Sequence, residues 1–401
     1  MLAWLRSRLS VLILIGLWGT GIGLAVPLGK EIHQTAASLF SRSSAPVQLA
    51  GPCDFTMFWA VGRMANAGQA ADIFTPKKIL NAEAFAENPH IRLLWFYPPP
   101  ALLLVAPAGH VTPFFRALFL WIAGLALLSA LILRRAGLGW GVIAVAVLSP
   151  AGLMNADLGQ LGMLTGALTV TGLLLADKRT ALAGGLFGML AFKPQAAMLV
   201  PVLMLARGHW RGIASGLGVA AALCGLTLAL YGPAVWHNFV AQGLPFSHFV
   251  LVQPFPRHPP PVDNSNEFYG VSVFWMCRSF GWSVRLSSLV QSAAALGAVV
   301  VCWRAWRRET ANPLARMALT ACLGLFMTPY GYLYDLGGTS VAMAALAFQE
   351  RRLVLTDVLL FGWPVLGLMI ALKFYLELAP VMLCLAAWRA AKAMNRARFR
   401  P

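Results

Sequence analysis

Residues 212–231 read GIASGLGVAAALCGLTLALY, and no side chain in this stretch carries a charge. A helix that crosses a membrane needs about 20 consecutive, mainly apolar residues. The stretch therefore predicts a membrane-spanning helix. Similar apolar runs recur from Leu9 almost to the C-terminus. The sequence as a whole predicts an all-α, polytopic membrane protein with one integral-membrane domain over residues 1–401.

The composition supports this class. Hydrophobic residues make up 59% of the chain and charged residues only 11%, whereas soluble domains average about 25% charged residues. The mean hydropathy is +0.71. These values exclude an ordinary soluble enzyme and leave little sequence for a separate soluble domain.

The net charge of +17 comes mainly from short basic clusters between the apolar runs. Lys and Arg are retained in cytoplasmic loops and attract anionic lipid, so these clusters predict cytoplasmic loops. No basic groove with stacking aromatic residues is apparent, which argues against a nucleic-acid partner. The clusters are Arg6/Arg8, Arg134/Arg135, Lys178/Arg179, Arg207/Arg211, Arg304/Arg307/Arg308, Arg351/Arg352 and the C-terminal tail from Arg389 to Arg400.

The apolar runs predict about 12 crossings, within a range of about 11 to 13. The first run, residues 9–28, has a signal peptide as its alternative interpretation. No clear cleavage site follows it, which favours an uncleaved helix that starts in the cytoplasm. Residues 98–133 form either one span and a half-span or two spans. A break at 110–113 favours two pieces, but two full spans would place Arg134 and Arg135 outside, so the sequence leaves this point open.

Two long polar segments, 30–97 and 232–285, are then expected on the outer side. Apolar residues at helical spacing predict an interfacial helix over 54–66, and Pro76 predicts the start of a second one over 76–87. The proline-rich stretch 254–261 predicts an extended segment.

Two short apolar runs flank Lys193 and Pro194. Each has about 12 residues and covers only about 18 Å at 1.5 Å per residue, less than the bilayer core of about 30 Å. We therefore expect a helix break at Lys193. A charged side chain at such a break is a candidate functional residue, with snorkelling to the membrane surface as the alternative.

Asp54 is the leading candidate catalytic residue. It is one of only 14 acidic residues, and it lies among bulky apolar neighbours just beyond the first predicted span. Burial tunes the proton affinity of such a carboxylate, as a general base requires. The alternative is that Asp54 only caps the helix that follows it.

Four sequence segments resemble glycosyltransferase family 87, whose members are integral-membrane enzymes of the GT-C fold that use polyprenol-phosphate sugars. The segments are Asp54-Phe55-x-x-Phe58-Trp59-x-x-Gly62, Trp95-Phe96-Tyr97-Pro98-Pro99, Asn155 through Gly159-Gln160, and Gly184-x-x-x-Gly188 through Lys193-Pro194-Gln195. Segments 264–270 and 328–335 resemble the later outer segments of the family. No motif is specific alone, but their order and spacing together are characteristic.

The resemblance implies that Asp54 is the catalytic base and that a sugar moves from a polyprenyl phosphate to a hydroxyl of a lipid or glycan, without a cofactor. It implies no metal site. Mannose is the first candidate sugar, and the mannosyl and arabinosyl transferases are the related activities. The chain departs from the family at Tyr330, Tyr332 and Tyr334, where many relatives carry a histidine. His258 is the nearest substitute.

A departing phosphate needs cations and donors, and aromatic faces bind sugars. The candidate donor-binding residues are Lys193, Arg257, His258 and Arg92. The candidate substrate-binding residues are Trp59, Asn66, Trp95, Tyr97, Asn155, Gln160, Gln195, Tyr330, Tyr334 and Asp335. Asn155 and Gln160 have interhelical hydrogen bonding as an alternative role, and Arg257 and His258 have a solvated loop.

The predicted location is the bacterial inner membrane, with the site on the periplasmic face. The main alternative function is a transporter or flippase of a lipid-linked sugar, because broken helices and an intramembrane lysine also fit that class. No inverted repeat is apparent. A non-catalytic assembly factor is the third alternative.

Overall fold

The computed structural model describes residues 53–85, 93–256, 266–309 and 311–395. These residues form a helical bundle, and their only β-bridge joins Gly270 to Tyr332. The helices are α1 (Phe55–Asn66), α2 (Pro76–Glu83), α3 (Leu102–Gly109), α4 (Phe114–Arg135), α5 (Trp140–Leu148), α6 (Pro150–Leu158), α7 (Gly162–Leu175), α8 (Thr180–Gly188), α9 (Val200–Arg207), α10 (Trp210–Tyr231), α11 (Pro233–Asn238), α12 (Leu244–Val252), α13 (Val273–Ser279), α14 (Val284–Arg307), α15 (Pro313–Gly324), α16 (Leu336–Glu350), α17 (Leu355–Phe374) and α18 (Ala379–Asn395).

Four of the described helices, α4, α10, α14 and α17, are long and apolar enough to cross a membrane. Helices α5 and α6 meet at an angle of 46° and make a fifth candidate if they form one broken span. Several other apolar helices are shorter, and the first predicted span, residues 9–28, lies outside the described residues. The helical membrane class is confirmed, and the total of about 12 crossings stays a prediction.

The structure resolves the ambiguity in residues 98–133. Helix α3 ends at Gly109, and α4 begins at Phe114 after the predicted break. The region is one short helix followed by one full-length helix of 22 residues. Because α4 runs the length of a span, Arg134 and Arg135 lie at the end of the bundle opposite Phe114.

Helix α1 packs tightly against α3. A Cβ atom at Gly62 would lie 2.3 Å from the carbonyl oxygen of Val105, so only glycine permits this approach. Arg63 and Asn66 are its exposed residues, and the other ten are buried. The helix predicted over 54–66 is therefore present, but protein surrounds it on nearly all sides.

Glycines also hold α8 against α10, as small residues commonly do between membrane helices. A Cβ atom at Gly184 would lie 1.9 Å from the carbonyl oxygen of Gly212. After α8 the chain forms two short 3-10 turns, Met189–Phe192 and Pro194–Ala197, with Lys193 between them. The predicted break at Lys193 is confirmed.

The bundle has two chemically different ends. The site end holds Asp54 and Gln160, and α7 starts beside them. At the other end of α7, Asp177 accepts hydrogen bonds from Arg207 and Arg316 and lies 3.1 Å from Nε2 of His209. Arg135 and Arg307 end their helices at this same end, which we call the basic end.

Candidate active site

Asp54 precedes the first turn of α1, but its side chain makes no capping hydrogen bond to that helix. Instead, the side-chain amide of Gln160 donates to Oδ2 of Asp54. Gln160 follows Gly159, which has a φ of +69° and touches Phe55 so closely that an added Cβ atom would lie 2.5 Å from the Phe55 Cβ atom. The fold thus directs the carboxylate away from its own helix and toward α6, which argues against the capping role.

Gln160 is held in one orientation from both sides. Its Oε1 atom accepts a hydrogen bond from the hydroxyl of Tyr97 at 3.2 Å and another from the backbone N–H of Leu161 at 3.4 Å. Because these two hydrogen bonds fix the position of Oε1, the side-chain nitrogen of Gln160 faces Asp54. The amide therefore acts as a fixed donor that positions the carboxylate.

The proton affinity of Asp54 is raised. Burial raises its pKa to about 6, against the opposing effects of the Gln160 hydrogen bond and the positive charge of Lys193. At pH 7 the ionised form still exceeds the protonated form by about tenfold. A carboxylate in this state accepts a proton more readily than an ordinary aspartate and is still charged at neutral pH.

Lys193 forms an ion pair with Asp335 across the site end. Its side chain is 2% exposed, and its Nζ atom lies 5.0 Å from the ring centroid of Tyr334. Asp335 is fixed in turn, because its Oδ2 atom accepts from the backbone N–H of Tyr332 at 3.2 Å. The buried lysine is therefore paired inside the bundle, which argues against the snorkelling interpretation.

Asp54, Gln160 and Lys193 face one cavity of about 340 Å³, which is within the usual size range of ligand sites. Its apolar side is built by α12 and the turn before it, including Phe239, Phe246 and Phe249. Its polar and tyrosine lining consists of Asp54, Tyr97, Gln160, Lys193, Gln195, Ser247, Tyr330, Tyr332 and Tyr334. The rings of Tyr332 and Tyr334 stack with centroids 5.4 Å apart.

A second, narrower groove of about 70 Å³ leads from the same lysine into the bundle. It runs between α7, α9, α15 and α16, and its lining is mostly apolar. Lys193, Gln195 and Tyr330 line both spaces. The cavity and the groove thus meet at the lysine.

Several predicted site residues point elsewhere. Asn155 is fully buried and donates to the carbonyl oxygens of Ala151 and Tyr334, which matches its interhelical alternative. Trp59 and Asn66 donate to carbonyl oxygens at Val111 and Ala106. Trp95 is 1% exposed. None of these four side chains lines the cavity, so their contacts with substrate stay predictions.

Arg92, Arg257 and His258 lie outside the described residues, so their proposed contacts with phosphate stay predictions. The described residues contain no group of three or more potential metal ligands.

The sequence prediction missed the contribution of α12. Phe246, Phe249 and Val250 follow a helical spacing, with Ser247 beside them. This pattern was available in the sequence, but nothing in it tells which side of the helix meets Asp54. It also missed Glu83, a carboxylate on the apolar face of α2.

The fold and this cavity define a membrane-embedded helical protein in which a carboxylate, a paired lysine and tyrosine rings share one site. The sequence model of glycosyltransferase family 87 matches residues 95–329, more than half of the 401-residue chain. The chain therefore belongs to glycosyltransferase family 87, and it is a membrane glycosyltransferase. No curated protein and no solved structure matches it.

The matched range contains part of the site. It includes Tyr97, Gln160 and Lys193, whereas Asp54 precedes it and Asp335 follows it. The assignment of roles to these last two residues thus rests on their geometry and on the resemblance of the flanking motifs.

Proposed function

We propose that the protein transfers a sugar, with mannose as the first candidate, from a polyprenyl phosphate to a hydroxyl group of a lipid or glycan. The observation that carries the proposal is the shared cavity of Asp54 and Lys193. It combines a group that accepts a proton with a cation that meets a phosphate.

In the proposed reaction, Asp54 takes the proton of the acceptor hydroxyl. The hydroxyl oxygen bonds to the anomeric carbon of the sugar as the bond from that carbon to the phosphate oxygen breaks. The bonding electrons leave with the polyprenyl phosphate, which gains one negative charge. Gln160 keeps Asp54 in place during this exchange.

Lys193 is the proposed cation for the phosphate. In a site of low dielectric, a fixed cation stabilises the charge that develops on the leaving group. Its ion pair with Asp335 orients the ammonium group before the donor arrives. The adjoining apolar groove offers a path for the prenyl chain, and the stacked tyrosines offer faces for the sugar.

The proposed location follows from charge. The basic end carries the arginine-rich helix ends and, by the positive-inside rule, faces the cytoplasm. The site end then faces the periplasm, where donors on polyprenyl phosphate are used without nucleotide sugars.

The test is transfer by purified protein in lipid nanodiscs. We expect labelled sugar to move from a polyprenyl-phosphate donor to lipid acceptors, and no transfer from nucleotide sugars. The matched control is the Asp54→Asn variant. Movement of intact donor across liposomes without any transfer product would instead support the flippase alternative.

A further inference from the structure

Glu83 is an acidic residue on the buried face of helix α2. Lys77 and Lys78 occupy the exposed face of α2, whereas Ile79 and Glu83, one turn apart, occupy the buried face. Glu83 is only 3% exposed. The fold thus places a carboxyl group where the helix pattern calls for an apolar residue.

Among the described residues, a single hydrogen-bond donor is available to stabilise a negative charge on the Glu83 carboxyl. Its Oε2 atom accepts one hydrogen bond, from the backbone N–H of Leu93 at 3.3 Å. Its Oε1 atom is buried and has no hydrogen-bond partner in the part of the chain that the structure describes. A buried carboxylate with a single donor is costly, and the protonated form removes that cost.

The surroundings of Glu83 favour the neutral form. Burial raises its pKa to about 8, the Leu93 hydrogen bond opposes the rise, and the negative charge of Asp54 adds to it. The other charged groups described on the elements packed against α2 are exposed or partly exposed at the protein surface. They are Arg63, which stacks over Trp59, and Asp72, which pairs with Lys78.

Glu83 also connects to the cavity through Leu93. Leu93 and Leu94 line the cavity together with Asp54 and Met57. The hydrogen bond from Leu93 therefore fastens this part of the cavity lining to α2. A change at Glu83 reaches the site through that bond.

We propose that Glu83 is a positioning residue of the transferase site: as a neutral carboxyl it fastens the Leu93 side of the cavity to α2, and its ionisation, which one backbone donor does not compensate, sets the alkaline limit of activity. The role of Glu83 in the alkaline limit of activity rests on the proposed function. Its neutral state and its contact with Leu93 do not require any activity.

The first experiment measures thermal unfolding of the purified protein from pH 5 to pH 9. A group whose pKa is higher in the folded state loses its stabilising effect as pH rises from the unfolded value toward the folded one, here about 8. The wild type should therefore lose thermal stability relative to Glu83→Gln between pH 5 and 8, and the difference should stay constant above that. Glu309→Gln, at an exposed glutamate, is the control and should follow the wild type. Equal pH dependence in wild type and Glu83→Gln overturns the proposal.

The second experiment compares transfer rates. Glu83→Gln keeps an acceptor for Leu93 and should match the wild type at pH 7, but it should not share the decline of the wild type above pH 8. Glu83→Ala removes the acceptor and should lower kcat by about 10- to 100-fold at all pH values, as expected when reacting groups are misplaced. An alkaline decline that persists in Glu83→Gln overturns the role in activity. If no variant and no wild-type protein transfers sugar but unfolding shows the expected pH dependence, the proposed function is rejected. The inference that Glu83 is neutral in the folded protein then still holds.

Discussion

At the residue scale, the assignment of Asp54 as the base makes a direct prediction. Asp54→Asn keeps an oxygen that accepts the hydrogen bond of Gln160 but removes the basic group. Turnover should fall by about 10²-fold or more, since general-base catalysis typically supplies that much, while thermal unfolding changes little. In the wild type, kcat/KM should rise with pH and reach half its plateau near pH 6, because the base must be ionised and its pKa is about 6. A folded Asp54→Asn protein with near-normal transfer would remove the assignment.

Lys193 gives a second prediction at the same scale. Lys193→Met should weaken use of the donor, through KM, kcat or both, because the phosphate loses its cation. The single substitution also leaves Asp335 without its partner, and removing one partner of a buried pair costs about 3–5 kcal/mol of stability.

The double variant Lys193→Met/Asp335→Asn separates these two effects. It should recover thermal stability but not donor use. Arg304→Met, at the basic end, is the control and should leave transfer unchanged. Recovery of transfer together with stability in the double variant would show that Lys193 acts only through folding.

The limits of sequence prediction are also clearest in single residues. The position of Asp54 and the break at Lys193 could be predicted, because rare charges in apolar sequence stand out. The partners could not: Gln160 on Asp54 and Asp335 on Lys193 are 106 and 142 positions away. Asn155 was ambiguous in the sequence, since its polarity fits either substrate contact or an interhelical hydrogen bond, and in the fold it joins α6 to the backbone at Tyr334.

At the element scale, close glycine contacts hold the helices together. Gly184→Ala should destabilise the protein by about 1–3 kcal/mol, because the added methyl group would overlap the backbone of α10. Gly218→Ala is the matched control: it lies on α10 with no atom within 4 Å of the added carbon, so it should be neutral or slightly stabilising. Thermal unfolding in detergent measures both. Equal effects of the two substitutions would contradict the observed packing of α8 on α10.

Helices were predictable where a particular residue type marks the start of the helix or where the apolar run is long enough to cross a membrane. Proline begins α2, α6 and α15, and apolar length identified α10. The sequence did not predict that α1 would be buried, because its amphipathic spacing is the same whether the apolar face meets lipid or protein. Contact with α3 decides between them, and that contact depends on the close approach at Gly62.

At the scale of the whole molecule, the arginine-rich helix ends and the candidate active site lie at opposite ends of the bundle. The basic end should face the cytoplasm and the site end the periplasm, because basic loops are retained inside. In a cysteine-free background, Gln69→Cys reports on the site end and Lys178→Cys on the basic end, and both positions are exposed. In intact spheroplasts a membrane-impermeant maleimide should label Gln69→Cys at once and Lys178→Cys only after permeabilisation. The reverse pattern would place Asp54 and its cavity in the cytoplasm. There the proposed use of an outer-face donor could not hold, although the contacts among Asp54, Gln160 and Lys193 would be unchanged.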